Sequence, residues 1–218
     1  SWTATENAAK YAEQAGVYYI ANGGANTTSS SPLVQSSKLP EIVSSGKLDE
    51  LYAYKSFVGL LSKDEPGIDQ MNVPVESKEA LEGAGKTDLL NYCNLLPMMA
   101  SNSFLQCGIW SSGSTTTAAY TNYVNTYISR VKPNFLSYDF YTTTGAYPNL
   151  SNGTGDQGYF NNLQIIANAA EANKIPFTNF VMTTGHMSYR VPTEADIQWQ
   201  INTTLAYGAK AIQYFCYH

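Results

Sequence analysis

Six short apolar segments, at residues 17–21, 57–62, 92–96, 135–141, 177–183 and 211–217, recur along the chain at intervals of about 40 residues, the spacing of repeated strand and helix units. Each is enriched in β-branched and aromatic residues. Runs such as Phe57-Val58-Gly59-Leu60-Leu61 are nearly continuous in their apolar character, which suits parallel strands covered on both faces, whereas a half-exposed antiparallel strand would alternate. Amphipathic helices are expected between them. Tyr123, Val124, Tyr127, Ile128 and Val131 share one face at a period near 3.6 and stop before Pro133. Phe160, Leu163, Ile166, Ala167 and Ala170 form a second stripe, and Ile197, Ile201 and Leu205 a third, with Gly208 where a helix C-terminal glycine belongs. An opening helix carries Ala8, Ala12 and Ala15 on one side and ends at Gly16. The alternation predicts one parallel α/β domain over residues 1–218. The chain starts in a helix that feeds the first strand and stops as the last strand finishes, so a fragment of a longer polypeptide is expected.

Composition narrows the partners. Charged residues make up 13% of the chain where about 25% is typical, so the polar surface is mostly neutral. A net charge of -5 provides no basic footprint for phosphates, which argues against nucleic acid and anionic membrane surfaces. No apolar run approaches the roughly 18 to 20 residues that span a bilayer, so membrane insertion is not expected. Cys93, Cys107 and Cys216 lack zinc-site spacing, and no phosphate loop, dinucleotide fingerprint, nucleophile elbow or HExxH motif is present; neither a cofactor nor a metal is expected. Ser, Thr and Asn form roughly a quarter of the chain, and Asn26, Asn149, Asn152 and Asn202 each begin an N-glycosylation acceptor pattern. A secreted or cell-surface glycoprotein is the resulting expectation.

Long segments rich in Gly, Ser, Thr and Asn follow three of the strands, at residues 22–37, 98–117 and 142–158. In a parallel α/β sheet such segments gather at the carboxyl edge, where ligands bind, although surface decoration or oligomer contacts would also account for them. Lys63-Asp64-Glu65-Pro66-Gly67 follows the 57–62 strand and sets two acids at that edge. A carboxylic acid pressed among aromatics there has its pKa raised toward neutrality and can donate a proton. Alternatively, the two acids cap the next turn.

Five blocks together carry a family resemblance: Gly59-Leu60-Leu61-Ser62-Lys63-Asp64-Glu65-Pro66-Gly67, Tyr92-Cys93-Asn94-Leu95-Leu96-Pro97, Leu136-Ser137-Tyr138-Asp139-Phe140-Tyr141, Tyr189-Arg190-Val191-Pro192-Thr193-Glu194-Ala195-Asp196, and Leu205-Ala206-Tyr207-Gly208-Ala209-Lys210-Ala211-Ile212-Gln213-Tyr214-Phe215. In this order they resemble the bacterial (β/α)8-barrel glycoside hydrolases of the β-galactosidase-like, clan A type. The resemblance implies a TIM barrel, incomplete as given, whose six units are strands three to eight, with a partner segment or chain completing it. It also implies that Glu65, the acid before Pro at the end of the fourth strand, is the general acid/base.

The family's nucleophile, a Glu at the end of the seventh strand, has no counterpart in Met182-Thr183-Thr184-Gly185-His186. Glu194 lies beyond, at a helix start where Thr193 and Asp196 offer capping. Asp139 ends the sixth strand and is the better second carboxylate, unless it is a buried Asp holding loop backbone. His186 could bind a sugar hydroxyl, tune a carboxylate or simply pack, and Arg190 is expected to pair Glu194 or another loop acid. Tyr138, Tyr141, Tyr214, Tyr217 and Trp110 offer aromatic faces for the C–H surface of a sugar, though strand aromatics more often pack.

The expected function is hydrolysis of a neutral poly- or oligosaccharide, with Glu65 and Asp139 catalytic. Asp64, Asn94, Tyr138, Tyr141, His186 and Tyr214 are the expected substrate contacts. The rival is a non-catalytic carbohydrate-binding or assembly protein on a degenerate barrel.

Overall fold

The computed structural model describes residues 2–22, 39–107, 115–143, 156–186 and 189–216. Six strands, β1 (Tyr19–Asn22), β2 (Phe57–Asp64), β3 (Leu90–Leu95), β4 (Leu136–Asp139), β5 (Phe177–Met182) and β6 (Ala211–Phe215), form one sheet in sequence order. Every neighbouring pair is parallel. All six expected strand segments are present, with boundaries moved by a few residues. Helices α1 (Trp2–Ala15), α2 (Leu39–Ser44), α3 (Lys47–Tyr52), α4 (Asn72–Gly83), α5 (Asn102–Cys107), α6 (Thr117–Val131), α7 (Asp156–Asn173) and α8 (Glu194–Ala206) precede or connect them.

The sheet is strongly curled. In a flat sheet β3 and β6 would stand three strand spacings apart, about 14 Å. Instead the Tyr92 hydroxyl of β3 donates to Gln213 Oε1 of β6 at 3.3 Å, and Gln213 Nε2 donates to Ser137 Oγ of β4 at 3.0 Å. Direct contact between non-adjacent strands requires concave curvature, so the sheet is a half-barrel whose inner face carries Tyr92, Asn94, Ser137 and Gln213. Beneath that network a cavity of about 380 Å³ is lined by Ile20, Leu90, Phe135, Phe177 and Ala211 among others. Neither β1 nor β6 has a strand on its outer side among the described residues.

Alternation along the strands sends the other residues outward to the helices. Leu60 joins an apolar cluster with Ala9, Leu48, Leu51 and Leu81, while Cys93, Leu95, Leu136 and Tyr138 join a larger one with α6 and α7. Of the expected α6 stripe, Tyr123, Val124, Tyr127 and Val131 are buried and Ile128 is partly buried, and Tyr120 joins the buried face.

Two helix faces differ from expectation. On α8 the buried residues are Gln200 and Thr204, and Leu205 is 47% exposed. Gln200 Oε1 accepts the Met182 N–H at 3.1 Å and Thr204 Oγ1 accepts Asn179 Nδ2 at 3.0 Å, so this helix docks on β5 through hydrogen bonds that an apolar-stripe reading overlooks. On α1 the buried positions are Thr5 and Ala9, one step round from the Ala8 and Ala12 face. Gly16 and Gly208 do take left-handed backbone at φ +69° and +95°, as helix-ending glycines should.

Gly59 marks the tightest inter-strand approach. A Cβ there would lie 2.5 Å from both Cβ and O of Leu90. Gly59→Ala should therefore destabilise the protein by about 1–3 kcal/mol through overpacking, measured by urea unfolding; unchanged stability would show that β2 and β3 separate freely.

Candidate active site

The carboxyl end of β2 is built by a register shift. Between Leu61 and Lys63 the pairing with β3 slips, after which Asp64 stands opposite Asn94. The irregularity re-aims the strand end as bulges do. Glu65 follows with φ +44°, a left-handed conformation unusual for a non-glycine residue, and its N–H donates to Asn94 O at 2.8 Å.

Helix α6 holds this turn from outside the barrel. Tyr123 Oη donates to Pro66 O at 2.8 Å and accepts the Leu96 N–H at 3.2 Å. Tyr120 Oη donates to Leu96 O at 2.9 Å, and Tyr127 Oη accepts the Cys93 N–H at 3.1 Å. One face of one helix thus ties the ends of β2 and β3 together. Arg130 adds a hydrogen bond to Ile68 O at 2.8 Å, just past the turn.

Three acids meet at this mouth. Glu65 is half-buried, and its carboxyl is pushed up to about 7, first by loss of solvation and then by the negative charge of Asp64, with Lys63 acting in the opposite direction. Asp139, at the end of β4, is raised well above the usual carboxylate range by burial and then by the charges of Glu65 and Asp64. Hydrogen bonds from Tyr141 and Asn94 oppose that rise. Its Oδ1 is buried with no hydrogen-bond partner among the described residues. Asp64 stays solvent-exposed at the lip, yet the surrounding protein raises its carboxyl too, against a hydrogen bond from Asn94. Asp139 is raised by the charge of Glu65, and Glu65 by that of Asp64, so the acids of this mouth titrate as interacting groups and hold on to a proton near neutrality.

Aromatic rings wall the mouth beside the acids. Tyr141 meets Tyr189 edge-on with ring centres 5.6 Å apart and lies 5.6 Å from Phe215. His186 stands edge-on to Phe215 at 5.0 Å and is itself exposed. Tyr189 Oη reaches Met99 Sδ at 3.9 Å, which links the segment after β5 to the segment after β3.

The structure brings Asp64, Glu65, Asn94, Asp139, Tyr141 and His186 to one mouth. Two expected contacts lie elsewhere. Tyr138 is fully buried between the sheet and α6 and α7 because it takes the outward position next to inward Ser137, so it cannot offer a face to a ligand at the mouth. Tyr214 also points outward, being next to inward Gln213, and is 55% exposed on the outer face of β6. Trp110 and Tyr217 fall outside the described residues, as does most of the 22–37 and 142–158 segments and part of the 98–117 segment.

Arg190 makes a two-pronged ion pair with Asp196, at 2.7 and 2.8 Å, rather than with Glu194. Asp196 closes a capping box with Thr193 at the start of α8, while Glu194 is exposed and accepts Gln198 Nε2. Sequence reasoning missed Ser137, Gln213 and Tyr189. For the first two a signal existed, since each is a polar residue inside an otherwise apolar strand.

No protein-family model and no curated protein sequence matches the chain. Among solved structures, a Bacteroides thetaiotaomicron protein assigned as an alpha-L-fucosidase superposes with a TM-score of 0.59 at 9% identity, over 95% of this chain and 62% of the other. A GH128 (subgroup II) endo-beta-1,3-glucanase from Sorangium cellulosum gives 0.48 at 13% identity, over 94% of this chain and 72% of the other. The first likeness is one of fold: an α/β half-barrel of parallel strands, consistent with an incomplete TIM-like barrel. The chain spans 62% of the length of the first neighbour.

The raised carboxyl of Glu65 has a consequence for stability. Its folded value near 7 exceeds the ordinary 4.5, so the folded state binds the proton more tightly, and this stabilisation, full below about pH 4.5, is lost as pH rises through 7. Glu65→Gln keeps the neutral form at every pH. The variant should match the wild type near pH 4 and exceed it at pH 8 by roughly 1–3 kcal/mol in urea unfolding; a difference that does not vary with pH would mean that Glu65 ionises normally.

Proposed function

We propose that this chain carries the catalytic mouth of a glycosidase acting on a neutral poly- or oligosaccharide, with Glu65 as general acid and Asp139 as its carboxylate partner. The observation that carries the reading is the acid cluster itself: carboxyls from the ends of β2 and β4, Glu65 raised by burial and by Asp64, Asp139 by burial and by Glu65 and Asp64, in a mouth walled by Tyr141, Tyr189 and Phe215. A glycosidic oxygen leaves as an alcohol only if it is protonated, and Glu65, whose carboxyl is pushed up to about 7 and so keeps a proton on part of the molecules at neutrality, supplies that proton. Asp139, which burial and its acidic neighbours push toward the protonated form, acts once it has lost that proton, either attacking the anomeric carbon or taking a proton from the water that does. Asp64, Asn94, Tyr141 and His186 face substrate hydroxyls or ring C–H groups. Lys63 is the cation that acts on Glu65, so three clustered carboxyls disfavour an anionic ligand.

Completion of the barrel is part of this reading. Tyr18 is 80%, Tyr11 62% and Val17 56% exposed beside β1, and Tyr214 is exposed on β6; further strands and helices from another segment or chain would cover them. Secretion is proposed on the acceptor pattern at Asn202, which is exposed on α8. No helix among the described residues is long and apolar enough to cross a membrane.

A second reading has its own support. Thr183 stands where the clan pattern has an acid, and its N–H and Oγ1 both donate to Phe215 O, at 2.7 and 3.2 Å. A mouth that binds sugar without cleaving it would tolerate this.

Kinetics separate the two. Glu65→Gln should slow cleavage of natural glycosides by about 10²-fold or more, with a smaller loss on an aryl glycoside whose phenol leaves without a proton. Asp139→Asn should slow both substrates alike, since its role does not depend on the leaving group. Sugar binding without turnover in the complete protein would favour the binding reading.

A further inference from the structure

At the end of the sheet opposite the acids, a groove of about 680 Å³ lies between α7 and α8, within the roughly 300–1,000 Å³ of small-ligand pockets. Its walls come from adjoining units of this chain, α7 with β5 and α8 with β6, so no further strand is needed to build it. Gln164, Asn168 and Glu171 follow one another on α7 at helical spacing, which sets them on one exposed stripe along one wall. Such a stripe is ordinarily only solvated. Here it shares the groove with the ring of Tyr207 at the end of α8, which Phe160 braces with ring centres 6.2 Å apart and planes 27° from parallel. Ile175 adds aliphatic surface, and buried Ala170 and Phe177 line the inner part.

The polar groups of this groove are largely unspent. Gln164 Nε2 donates to Asn168 Oδ1 at 2.7 Å, which orients both amides and leaves the Asn168 NH2 as a donor and Gln164 Oε1 as an acceptor. Glu171 and Lys210, the one anion and the one cation among the lining residues, form no ion pair among the described residues. Lys210 stands at the start of β6, between this groove and the cavity of the lumen. The charges decide the class of ligand. A phosphate is held by clustered cations, and here a single ammonium is balanced by a carboxylate. An apolar ligand would strand the amides and both charges. A hydroxyl both donates and accepts, so a ligand dense in hydroxyls can accept from Asn168 and Lys210, donate to Gln164 and Glu171, and lay its C–H groups on Tyr207 and Ile175. We propose that the groove between α7 and α8 is a second ligand site, for a neutral oligosaccharide, remote from the acids at the mouth. It does not rest on the glycosidase reading. Where the mouth cleaves a polysaccharide, a second attachment to the same polymer raises its effective concentration at the mouth.

The test is a residue-resolved NMR titration of the intact protein with cellotriose, maltotriose, laminaritriose and xylotriose, with inorganic phosphate as the anionic comparison. At least one trisaccharide should shift the backbone amides of residues 164–171 and 206–210 and the side-chain NH2 signals of Gln164 and Asn168, with a Kd on the order of 1 mM for so open a groove. Phosphate should shift none of them. Glu171→Gln and Asn168→Ala change exposed side chains, and each should weaken this binding by roughly three- to tenfold while leaving sugar shifts and any turnover at the mouth unchanged. Glu65→Gln should leave the groove titration as it is.

Groove signals that stay silent toward every trisaccharide up to its solubility limit overturn the proposal. Sugar shifts confined to the mouth overturn it as well and leave the glycosidase reading standing. Groove shifts with phosphate and with no sugar would make this an anion site instead, and binding that is unchanged in both variants would place the sugar away from the Asn168 and Glu171 wall; either result sinks the inference. Groove binding in a protein that cleaves no glycoside would uphold the second site and remove the catalytic reading of the mouth.

Discussion

Three phenol hydroxyls on one face of α6 hold the working edge of this sheet in place. Tyr120, Tyr123 and Tyr127 are fully buried, and a buried hydroxyl must find a partner or carry a desolvation cost of about 1–3 kcal/mol. Strand ends have the complementary problem, because their last N–H and C=O groups no longer meet a neighbouring strand. Each solves the other's. Tyr123 joins Pro66 O of the β2 end to Leu96 N of the β3 end, and the same turn is fixed from inside by Glu65 N–H on Asn94 O. Gripped from both sides, Glu65 keeps a left-handed backbone that costs on the order of 1–3 kcal/mol elsewhere. Strain of this kind aims a side chain, and here it aims a carboxyl at the mouth.

The same helix shows what a sequence can reveal. Its apolar period was legible because period and burial both follow from packing one face on a sheet, and the strands were legible because parallel strands need apolar residues on both sides. That Asp64 and Glu65 stand at the carboxyl end of a strand was legible too, since their run directly follows an apolar segment, whereas the same run read equally well as a cap for the next turn. Tyr138 and Tyr214 were misplaced for a simple reason. Inward and outward positions differ by one residue, and nothing in an aromatic strand says which parity faces the lumen until a polar neighbour such as Ser137 or Gln213 is recognised as the inward one. Helix α8 was misread because its docking is polar: Gln200 and Thr204 reach β5 by hydrogen bonds, so hydropathy points to the wrong face.

Long-range pairing was the least legible. Gln213 lies 76 residues from Ser137 and 121 from Tyr92, and no local pattern forecasts that a curled sheet will bring them together. Yet this contact both proves the curvature and fills a lumen that β-branched residues fill in many barrels. A polar interior is tolerable only if every member is satisfied. The chain from Tyr92 through Gln213 and Ser137 to the Asn94 carbonyl serves that condition by alternating donors and acceptors.

The acids at the mouth coexist on other terms. Three carboxyls set together in a chain of low charge density, with Lys63 the cation that acts on Glu65, cannot all ionise. The cluster relieves itself in different ways at its three members. Asp64 keeps an exposed side at the lip although loss of solvation raises it, Asp139 is raised well above the carboxylate range by burial with its Oδ1 unpartnered among the described residues, and Glu65 is pushed up to about 7. An arginine clamp would have erased the distinction by lowering all three. Arg190, the arginine nearest in the chain to the mouth residue His186, is instead committed to Asp196 through two hydrogen bonds at the start of α8. The differences among these acids therefore follow from how unevenly burial and like charge fall on them.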